Sequence, residues 1–407
     1  MADGTEQKTL KLTFAPDAAF QRDLRKRVDD HFAAHRLDRG ATPFMWLKSA
    51  FWLTLGYGSL LAAGLAPLPA PVAILLYLVA GFGMAAIGFN VAHDGTHGAT
   101  ASNKRINALA SWTFDAMGVN STNWRVAHNL LHHTYTNVPG TDTDLEPGAV
   151  LRFQPHARLY PWHRLQIVYA WFLYCFTALI WVYKKDVLQA LSPHPRTGAR
   201  TTASEWTRIV VGKVLHGLLF LALPLAFGPQ HPAVAVGGYL GLMMVGGFTL
   251  AIVFQLAHVI EGVRFPEADE NGRFERSFFE HEMLTTANFG ASKICTFITG
   301  GLDHQIEHHL FPTICHIHYP QLSPIVAACA RDHGLPYLHS GTFFQALASH
   351  ARILQRLGRG QEVTSLAVPV PRDVCAPRVH DFPQPGVLGG SHGVGAAPGE
   401  DKVQRAA

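Results

Sequence analysis

The sequence predicts an all-α integral membrane protein with four transmembrane helices in two hairpins, an interfacial helix and a cytosolic helical cap. Two observations predict this class. Hydrophobic residues make up 48% of the 407 residues and charged residues only 15%, whereas soluble proteins carry about 25% charged residues. The apolar residues are also concentrated in runs of about 20, the length that crosses the hydrocarbon core of a bilayer.

Residues 1–40 form a polar segment without the short apolar stretch of a secretory signal. Asp17 is a candidate N-cap for a helix with an apolar stripe at every fourth residue. The stripe consists of Phe20, Leu24, Val28 and Phe32. Because the same helix carries four basic residues, it is predicted either to lie on the membrane surface or to pack against the body of the protein.

Four apolar runs are long enough to span a membrane. They are residues 46–66, 71–92, 208–228 and 234–257. Short links without charged residues join the first run to the second and the third to the fourth, whereas Lys and Arg are concentrated outside these hairpins. The positive-inside rule therefore places both termini and the segments between the hairpins in the cytoplasm.

A fifth apolar segment, residues 165–183, is rich in Tyr and Trp. If it crossed the membrane, Lys184 and Lys185 would face outward and the histidine clusters described below would lie on opposite sides. We therefore predict an interfacial helix here. The membrane domain is expected over 41–345, followed by a C-terminal tail, 346–407, that is Pro- and Gly-rich and largely disordered from about residue 363.

The composition disfavours several other classes of protein. The formal net charge of +4 is spread over loops, which predicts no nucleic-acid partner. Five scattered cysteines without a C-x-x-C pair argue against a disulfide framework or a thiolate zinc site. The unusual feature is the presence of 24 histidines.

Three histidine clusters follow the predicted spans. They are His93-x3-His97, His128-x3-His132–His133 and Gln305-x2-His308–His309. Spacings of three and four residues place side chains on one face of a helix. Seven imidazoles and one amide exceed the four ligands of a tetrahedral zinc ion, so the count predicts two metal ions. Imidazole alone does not distinguish iron, copper, nickel and zinc.

Carboxylates near the clusters are candidates to orient the histidines. A metal-bound histidine usually passes its second N–H to a carboxylate or a carbonyl. The candidates are Asp94, Asp142, Asp144 and Glu307. The acidic run around Asp142 and Asp144 is also consistent with an exposed loop.

These clusters, in this order and at these separations, resemble the three histidine boxes of the membrane-bound fatty acid desaturases. Asn137 and the Asp142–Asp144 run after the second box, and Leu310–Phe311–Pro312 after the third, agree with the family pattern. Gln305 in place of a histidine resembles the front-end branch and its bacterial acyl-lipid or acyl-CoA relatives. The resemblance covers roughly residues 40–345.

The resemblance implies a dioxygen-dependent enzyme with two iron ions (Fe2+/Fe3+) that introduces a cis double bond into an acyl chain. It assigns metal ligation to every histidine of the three boxes. In the family a further ligand comes from the end of the fourth span, where His258 lies; a satisfied interfacial histidine is the alternative. His281 is a weaker candidate. Gln305 is expected to bind iron directly, to bind through water, or to orient a neighbour.

The partners implied are the lipid bilayer, an acyl lipid or acyl-CoA, dioxygen and a source of electrons. Many front-end relatives carry a fused haem domain marked by His-Pro-Gly-Gly, and this motif is absent from the sequence. We therefore expect a separate carrier, either a ferredoxin, a rubredoxin or a cytochrome with its reductase. The expected location is a bacterial inner membrane with the active site on the cytoplasmic side.

Two rival functions use the same residues differently. A membrane di-iron hydroxylase or monooxygenase of lipids or alkanes has the same boxes, although the glutamine in the third box counts against it. A metal transporter would need ionisable groups along its spans. Apart from Lys213 and His216, the predicted spans have almost none.

Overall fold

The computed structural model describes residues 12–16, 19–195, 197–290 and 292–363. These residues are all-helical, without a strand, and contain two isolated bridges, Thr13 with Arg273 and Asn288 with His339. The predicted cap at Asp17 and the predicted disorder of the tail concern residues outside the described ranges.

Apart from short 3₁₀ turns, the described residues form fourteen helices, one after another along the chain. They are α1 (Phe20–His35), α2 (43–65), α3 (Ala70–His97), α4 (Lys104–Ala116), α5 (121–132), α6 (Pro161–Tyr174), α7 (Thr177–Leu191), α8 (Ala203–Phe227), α9 (Pro232–His258), α10 (Phe278–Thr285), α11 (Lys293–Thr299), α12 (Gln305–Leu310), α13 (Tyr319–Asp332) and α14 (Phe343–Gly358). Within these helices, π-helical turns occupy Thr54–Gly58, Gly88–Ala92, Arg125–His132, Trp181–Lys185 and Leu218–Ala222.

Three helices are long and apolar enough to cross a membrane, namely α3, α8 and α9. They coincide with the predicted second, third and fourth spans. Helices α6 and α7, bent by 70° at a short break, would form a fourth if counted as one span. The bend lies within the segment predicted as interfacial, 165–183, and the outward face there includes the exposed Leu165, Val168 and Phe172.

The predicted first span, 46–66, is helical as α2 but is not one of the three. Lys48 and a polar, glycine-containing turn over Thr54–Gly58 lower its hydropathy. The helix nevertheless runs alongside α3, because Gly56 and Gly83 let the two backbones meet: a Cβ on Gly83 would lie 2.7 Å from the Gly56 Cα.

The connections of the two hairpins meet at one end of the helical bundle. The side-chain amide of Gln230, between α8 and α9, donates hydrogen bonds to the carbonyl oxygens of Ala66 at 3.1 Å and Leu68 at 2.9 Å. Helices α3 and α9 start at this end and finish at His97 and His258. Both helices therefore deliver histidines to the opposite end of the bundle.

The remaining helices cover the histidine-bearing end. The apolar stripe of α1 is buried in a cluster with residues of α10, α12 and α13, which favours packing against the protein over the membrane-surface interpretation. The predicted domain boundary between residues 345 and 346 falls inside α14. Ile353, Leu354 and Leu357 of this helix are buried in the same apolar cluster as residues of α6 and α9.

Candidate metal centre

The last turn of α3 carries the first histidine pair. His93 and His97 are one turn apart, and their ring centroids are 4.7 Å apart. Gly98 ends the helix in a left-handed conformation with φ of 74°, which glycine adopts without the Cβ penalty. The helix end therefore places both rings next to Trp124.

The second cluster lies on a π-helical segment, Arg125–His132. The backbone N–H of His133 donates to the carbonyl of His128 at 2.9 Å, a spacing of five residues. This wider turn brings His133 to the same side as His128, and their Nε2 atoms are 3.2 Å apart. In a regular α-helix the face of His128 would include His132 and not His133; the π turn removes that offset.

The third cluster comes from the short helix α12, and it completes the centre together with the end of α9. The ring centroid of His308 lies 4.4 Å from that of His93 and 4.9 Å from that of His97. The ring of His309 lies 5.0 Å from those of His132 and His258. Segments separated by more than 200 residues in the chain therefore converge at one place.

The rings form two neighbouring groups, and within each group the potential ligand atoms lie within 4.8 Å of one another. One group is His93, His97, His128 and His308, and the other is His132, His258 and His309. His133 lies between them, with its ring centroid 4.5 Å from His308 and 4.3 Å from His309. Each of the two groups could hold a metal ion.

The ring nitrogens of these groups fit a metal centre because most have no other partner. Buried nitrogens without a hydrogen bond occur on seven of the histidines, namely His93, His97, His132, His133, His258, His308 and His309. An unpaired buried polar atom costs about 1–3 kcal/mol, and such atoms are rare in native proteins. Coordination by a metal would satisfy one nitrogen on each of these rings.

Two carboxylates orient the second cluster, as the sequence suggested. His132 Nδ1 donates to Asp142 at 2.9 Å, and His128 Nδ1 to Asp144 at 3.2 Å. Burial alone would raise the pKa of Asp144, but the ammonium of Lys185 at 2.7 Å and the charge of His132 together outweigh burial and lower this pKa. Asp144 is therefore held in its charged, accepting form.

A third carboxylate, Glu282 on α10, was missed by the sequence reasoning. It accepts hydrogen bonds from His309 Nδ1 at 2.7 Å and from the hydroxyl of Thr136 at 3.0 Å. Burial raises the pKa of Glu282 well above its usual value. Glu282 contacts residues that are far away in the chain, so no local pattern marks it. The one indication in the sequence was that it follows His281, a candidate ligand.

Asn137 ties the second cluster to the end of α9. Its backbone has a positive φ of 60°, a conformation in which asparagine is enriched. Its side-chain amide donates to the carbonyls of His258 at 3.1 Å and Arg264 at 3.0 Å. The residue that matched the family pattern thus holds the loop of the second cluster against the turn that follows His258.

Four candidates from the sequence occupy other positions. His281 Nε2 donates to the Thr136 carbonyl at 2.9 Å, and burial lowers the pKa of His281 to about 4. Asp94 accepts from His316 Nδ1 at 2.8 Å rather than from a clustered histidine.

Glu307 accepts from Asn288 and Tyr337, each at 2.7 Å. Gln305 Oε1 is buried without a partner, one turn before His308 and His309.

Comparison with known proteins decides the family. The sequence model of the fatty acid desaturase family matches residues 67–341. The chain belongs to the fatty acid desaturase family. It is therefore an oxidoreductase that introduces a double bond into a fatty acyl chain, which confirms the activity predicted from the histidine boxes.

Curated relatives of this desaturase share the activity. The chain is 35% identical over 357 residues to the sn-1 linoleoyl-lipid 6-desaturase of Synechocystis sp., covering 86% of this chain and 98% of the relative. It is 33% identical over 362 residues to the enzyme of the same name from Arthrospira platensis, covering 88% and 98%. It is 30% identical over 364 residues to the acyl-lipid (8-3)-desaturase of Physcomitrium patens, covering 88% and 75%.

Proposed function

We propose that this desaturase is a di-iron enzyme that uses dioxygen to form a cis double bond in the acyl chain of a membrane lipid. One observation carries the proposal: the buried imidazole nitrogens that face one another without hydrogen-bond partners. Imidazole is a common ligand of iron, and the family is a di-iron family.

We assign one iron to His93, His97, His128 and His308, and the other to His132, His258 and His309. His133 is placed to bind either ion. Bound iron would supply the activation of dioxygen and the removal of two hydrogens from neighbouring methylenes. In this assignment Gln305 orients a neighbour or binds directly, and His281 is a packing residue.

The protein's own contribution is to hold the rings and to keep the site dry. Asp142, Asp144 and Glu282 accept from Nδ1 of three histidines, which leaves the Nε2 lone pairs of those rings turned inward. Such partners fix ring orientation and tautomer. Burial of the clustered rings, of which only His97 is partly exposed, excludes water that would compete with the substrate.

The acyl chain needs an apolar channel that reaches the centre. An apolar cavity lies between α3, α4, α7, α8 and α9, and its wall includes Gly88, Phe114, Val182 and Leu250. Gly88 lies five residues before His93 on α3. The cavity has a volume of about 60 Å3, and we assign it to a part of the acyl chain, whose reacting carbons carry no polar handle and must be selected by depth and shape.

The substrate class follows from the relatives. Their names describe acyl-lipid desaturases, two of them 6-desaturases of linoleoyl lipids. We therefore propose an acyl lipid rather than acyl-CoA. Gln305 in the third box favours a new double bond between an existing double bond and the carboxyl end of the acyl chain. The 6-position in the names of these relatives favours the same placement.

We propose that the enzyme crosses a bacterial inner membrane four times, through α2, α3, α8 and α9. The contact of the two hairpin connections through Gln230 supports a common outer end for both hairpins. The basic residues outside the hairpins then place the metal centre and both termini in the cytoplasm. Helix α2 qualifies although it contains Lys48, since this side chain is buried near the histidine end, 3.0 Å from His316 Nε2.

Electrons would come from a separate one-electron carrier on the cytoplasmic side, a ferredoxin, a rubredoxin or a cytochrome with its reductase. The desaturation of one bond by one dioxygen molecule removes two hydrogens from the substrate and takes two further electrons and two protons to form two waters. The described residues include no haem motif or iron–sulfur cysteine cluster.

The fatty-acid profile of a desaturase-deficient host tests this function. Cells that express the protein with each type of donor should gain a new double bond in their lipids. His308→Ala should abolish the product, whereas His35→Ala, on the outside of α1, should leave it unchanged. A new hydroxyl group instead of a double bond, or an unchanged profile with every donor, would contradict the proposal.

A further inference from the structure

A second cavity lies in the loop that follows the second histidine cluster. It has a volume of about 310 Å3 and is formed by residues between Pro139 and Ala157. This volume is at the lower end of the range of about 300–1,000 Å3 for sites that bind small molecules. The cavity has no role in the centre described above.

The floor of this cavity is apolar, and one wall offers an unused donor. Leu145, Leu151 and Phe153 line it and belong to the apolar cluster that also contains Ala85 and Phe89 of α3. Gln154 also lines it. This side chain is only 4% exposed, and its Nε2 has no hydrogen-bond partner. A buried amide left unpaired is costly, so the donor indicates a ligand that accepts a hydrogen bond.

The other polar groups of the cavity are an acceptor and a histidine. Glu146 is exposed at the rim, and its Oε1 is fixed by the backbone N–H of Gly140 at 2.6 Å. His156 pairs through Nδ1 with Glu267 at 2.8 Å. The lining residues, all of which are described, include neither Lys nor Arg. A phosphate would therefore meet a carboxylate without a cation to balance it.

The location of the cavity is that of lipid head groups. The indole N–H of Trp162 donates to the Ala149 carbonyl at 2.9 Å, and the Tyr169 hydroxyl to that of Val150 at 2.8 Å. Both residues belong to α6, whose outward face is apolar, and Trp162 is 48% exposed. Exposed Trp and Tyr side chains mark the membrane–water interface. The cavity wall is therefore hydrogen-bonded to α6, the helix whose aromatic side chains indicate the membrane–water interface.

The cavity is also adjacent to the metal centre along the chain. Leu145 in its floor follows directly after Asp144, the partner of His128. A head group bound here would leave its acyl chain beside the loop that orients the second histidine cluster.

We propose that this cavity binds the polar head group of the substrate and that the preferred group is neutral and rich in hydroxyls, a sugar ring or a glycerol. This inference rests on the proposed acyl-lipid desaturase function. Ligand hydroxyls donate to the carboxylate of Glu146 and accept from the amide of Gln154. The apolar floor contacts the C–H face of the ring or of the glycerol.

The test measures desaturation of one linoleoyl chain presented on four carriers to the full-length enzyme in nanodiscs. The carriers are monogalactosyl diacylglycerol, diacylglycerol, phosphatidylcholine and coenzyme A. The wild type should have the highest kcat/KM for one of the two uncharged lipids, and their order distinguishes the sugar from the glycerol. Gln154→Leu should raise KM for that lipid about 3- to 10-fold, the range for loss of one neutral hydrogen bond, with kcat unchanged.

Two further variants separate binding from folding. Glu146→Gln, at the exposed rim, should raise KM for the same lipid, whereas Gln321→Leu, an exposed amide on α13, should change nothing. The inference is overturned if phosphatidylcholine or coenzyme A is the best carrier, if all carriers react alike, or if Gln154→Leu slows every carrier equally. An absence of double bonds in all four arms would instead overturn the proposed function.

Discussion

At the scale of single residues, the orientation of each imidazole depends on what its second ring nitrogen contacts. Asp142, Asp144 and Glu282 each accept from one ring of the centre. The rings of His258 and His308 have weaker partners, the Thr285 carbonyl at 3.4 Å and the Tyr319 hydroxyl at 3.3 Å. In the second group, His132 and His309 therefore depend on a carboxylate for their orientation, and His258 does not.

Replacement of Glu282 tests this dependence. Glu282→Leu removes the acceptor of His309 Nδ1 and of the Thr136 hydroxyl, so the His309 ring loses its fixed orientation. Loss of such a partner typically lowers metal affinity about 10- to 100-fold. Iron retained per chain during titration with a chelator measures the effect. Glu270→Leu, in an exposed loop, is the matched control, and equal iron retention in both variants would contradict this role.

A comparison of His258, at the end of α9, with His281 gives a second test of the ligand assignment. His258 has an unpaired Nε2 in the centre, whereas the Nε2 of His281 is already bonded to the Thr136 carbonyl. His258→Ala should therefore reduce the iron content of the purified enzyme by about half, and His281→Gln should leave it unchanged. Metal analysis of both variants measures this. Loss of iron from the His281 variant alone would reverse the two assignments.

Sequence reasoning found the residues that local spacing governs and missed those that only folding brings together. The repeats at three and four residues predicted which rings share a helix face, and the Asp142–Asp144 run lay close enough along the chain to be suspected. Glu282 is 27 residues before His309, and no local rule connects them. Asp94 directly follows His93, but the helix turns it away, toward His316.

At the scale of elements, the position of the histidines depends on how closely α3 and α9 pack. Gly81 of α3 lies against the backbone of α9, where a Cβ would meet the carbonyl oxygen of Leu242. Backbone atoms cannot move aside as a flexible side chain can. Since both helices end at metal-binding candidates, their separation sets the distance between the first histidine pair and His258.

Gly81→Ala should therefore destabilise the enzyme and separate the two helices. Overpacking of this kind typically costs about 1–3 kcal/mol, and thermal unfolding in detergent measures it. Gly237→Ala on α9 is the control, because no atom lies within 4 Å of a Cβ built there. It should be neutral or slightly stabilising, since alanine is the better helix former. A similar loss of stability in both variants would exclude close packing as the cause.

Hydropathy and packing lead to different expectations for α2 as a membrane span. Apolar runs predicted α3, α8 and α9 because those helices contain few polar residues. In α2 the lysine that lowers the hydropathy is buried at 4% exposure and paired with His316, so its charge faces protein rather than lipid. The 70° bend between α6 and α7 was not predictable from the aromatic content of that segment.

At the scale of the whole molecule, the topology decides on which side of the membrane the chemistry occurs. Four spans place the connections between α2 and α3 and between α8 and α9 outside, and all else inside. If α6 and α7 together crossed as well, the connection between α7 and α8 would lie outside.

Single cysteines distinguish these topologies. Pro229→Cys, between α8 and α9, should react with a membrane-impermeant maleimide added to intact cells. Arg200→Cys, between α7 and α8, should react only after the membrane is permeabilised, because in the proposed four-span topology the bent pair does not cross. The unmodified enzyme is the control for reaction of its native cysteines. Labelling of Arg200→Cys in intact cells would contradict the four-span topology.

The central claim is that the converging imidazoles hold a pair of iron ions. X-ray absorption at the iron edge of the full-length enzyme tests it most directly. A di-iron centre held by imidazoles predicts nitrogen-rich ligation with imidazole scattering and a second iron as neighbour. In His309→Ala the signal of that neighbouring iron should be lost. Sulfur ligands, or a single isolated iron in an enzyme that still forms double bonds at full rate, would contradict it.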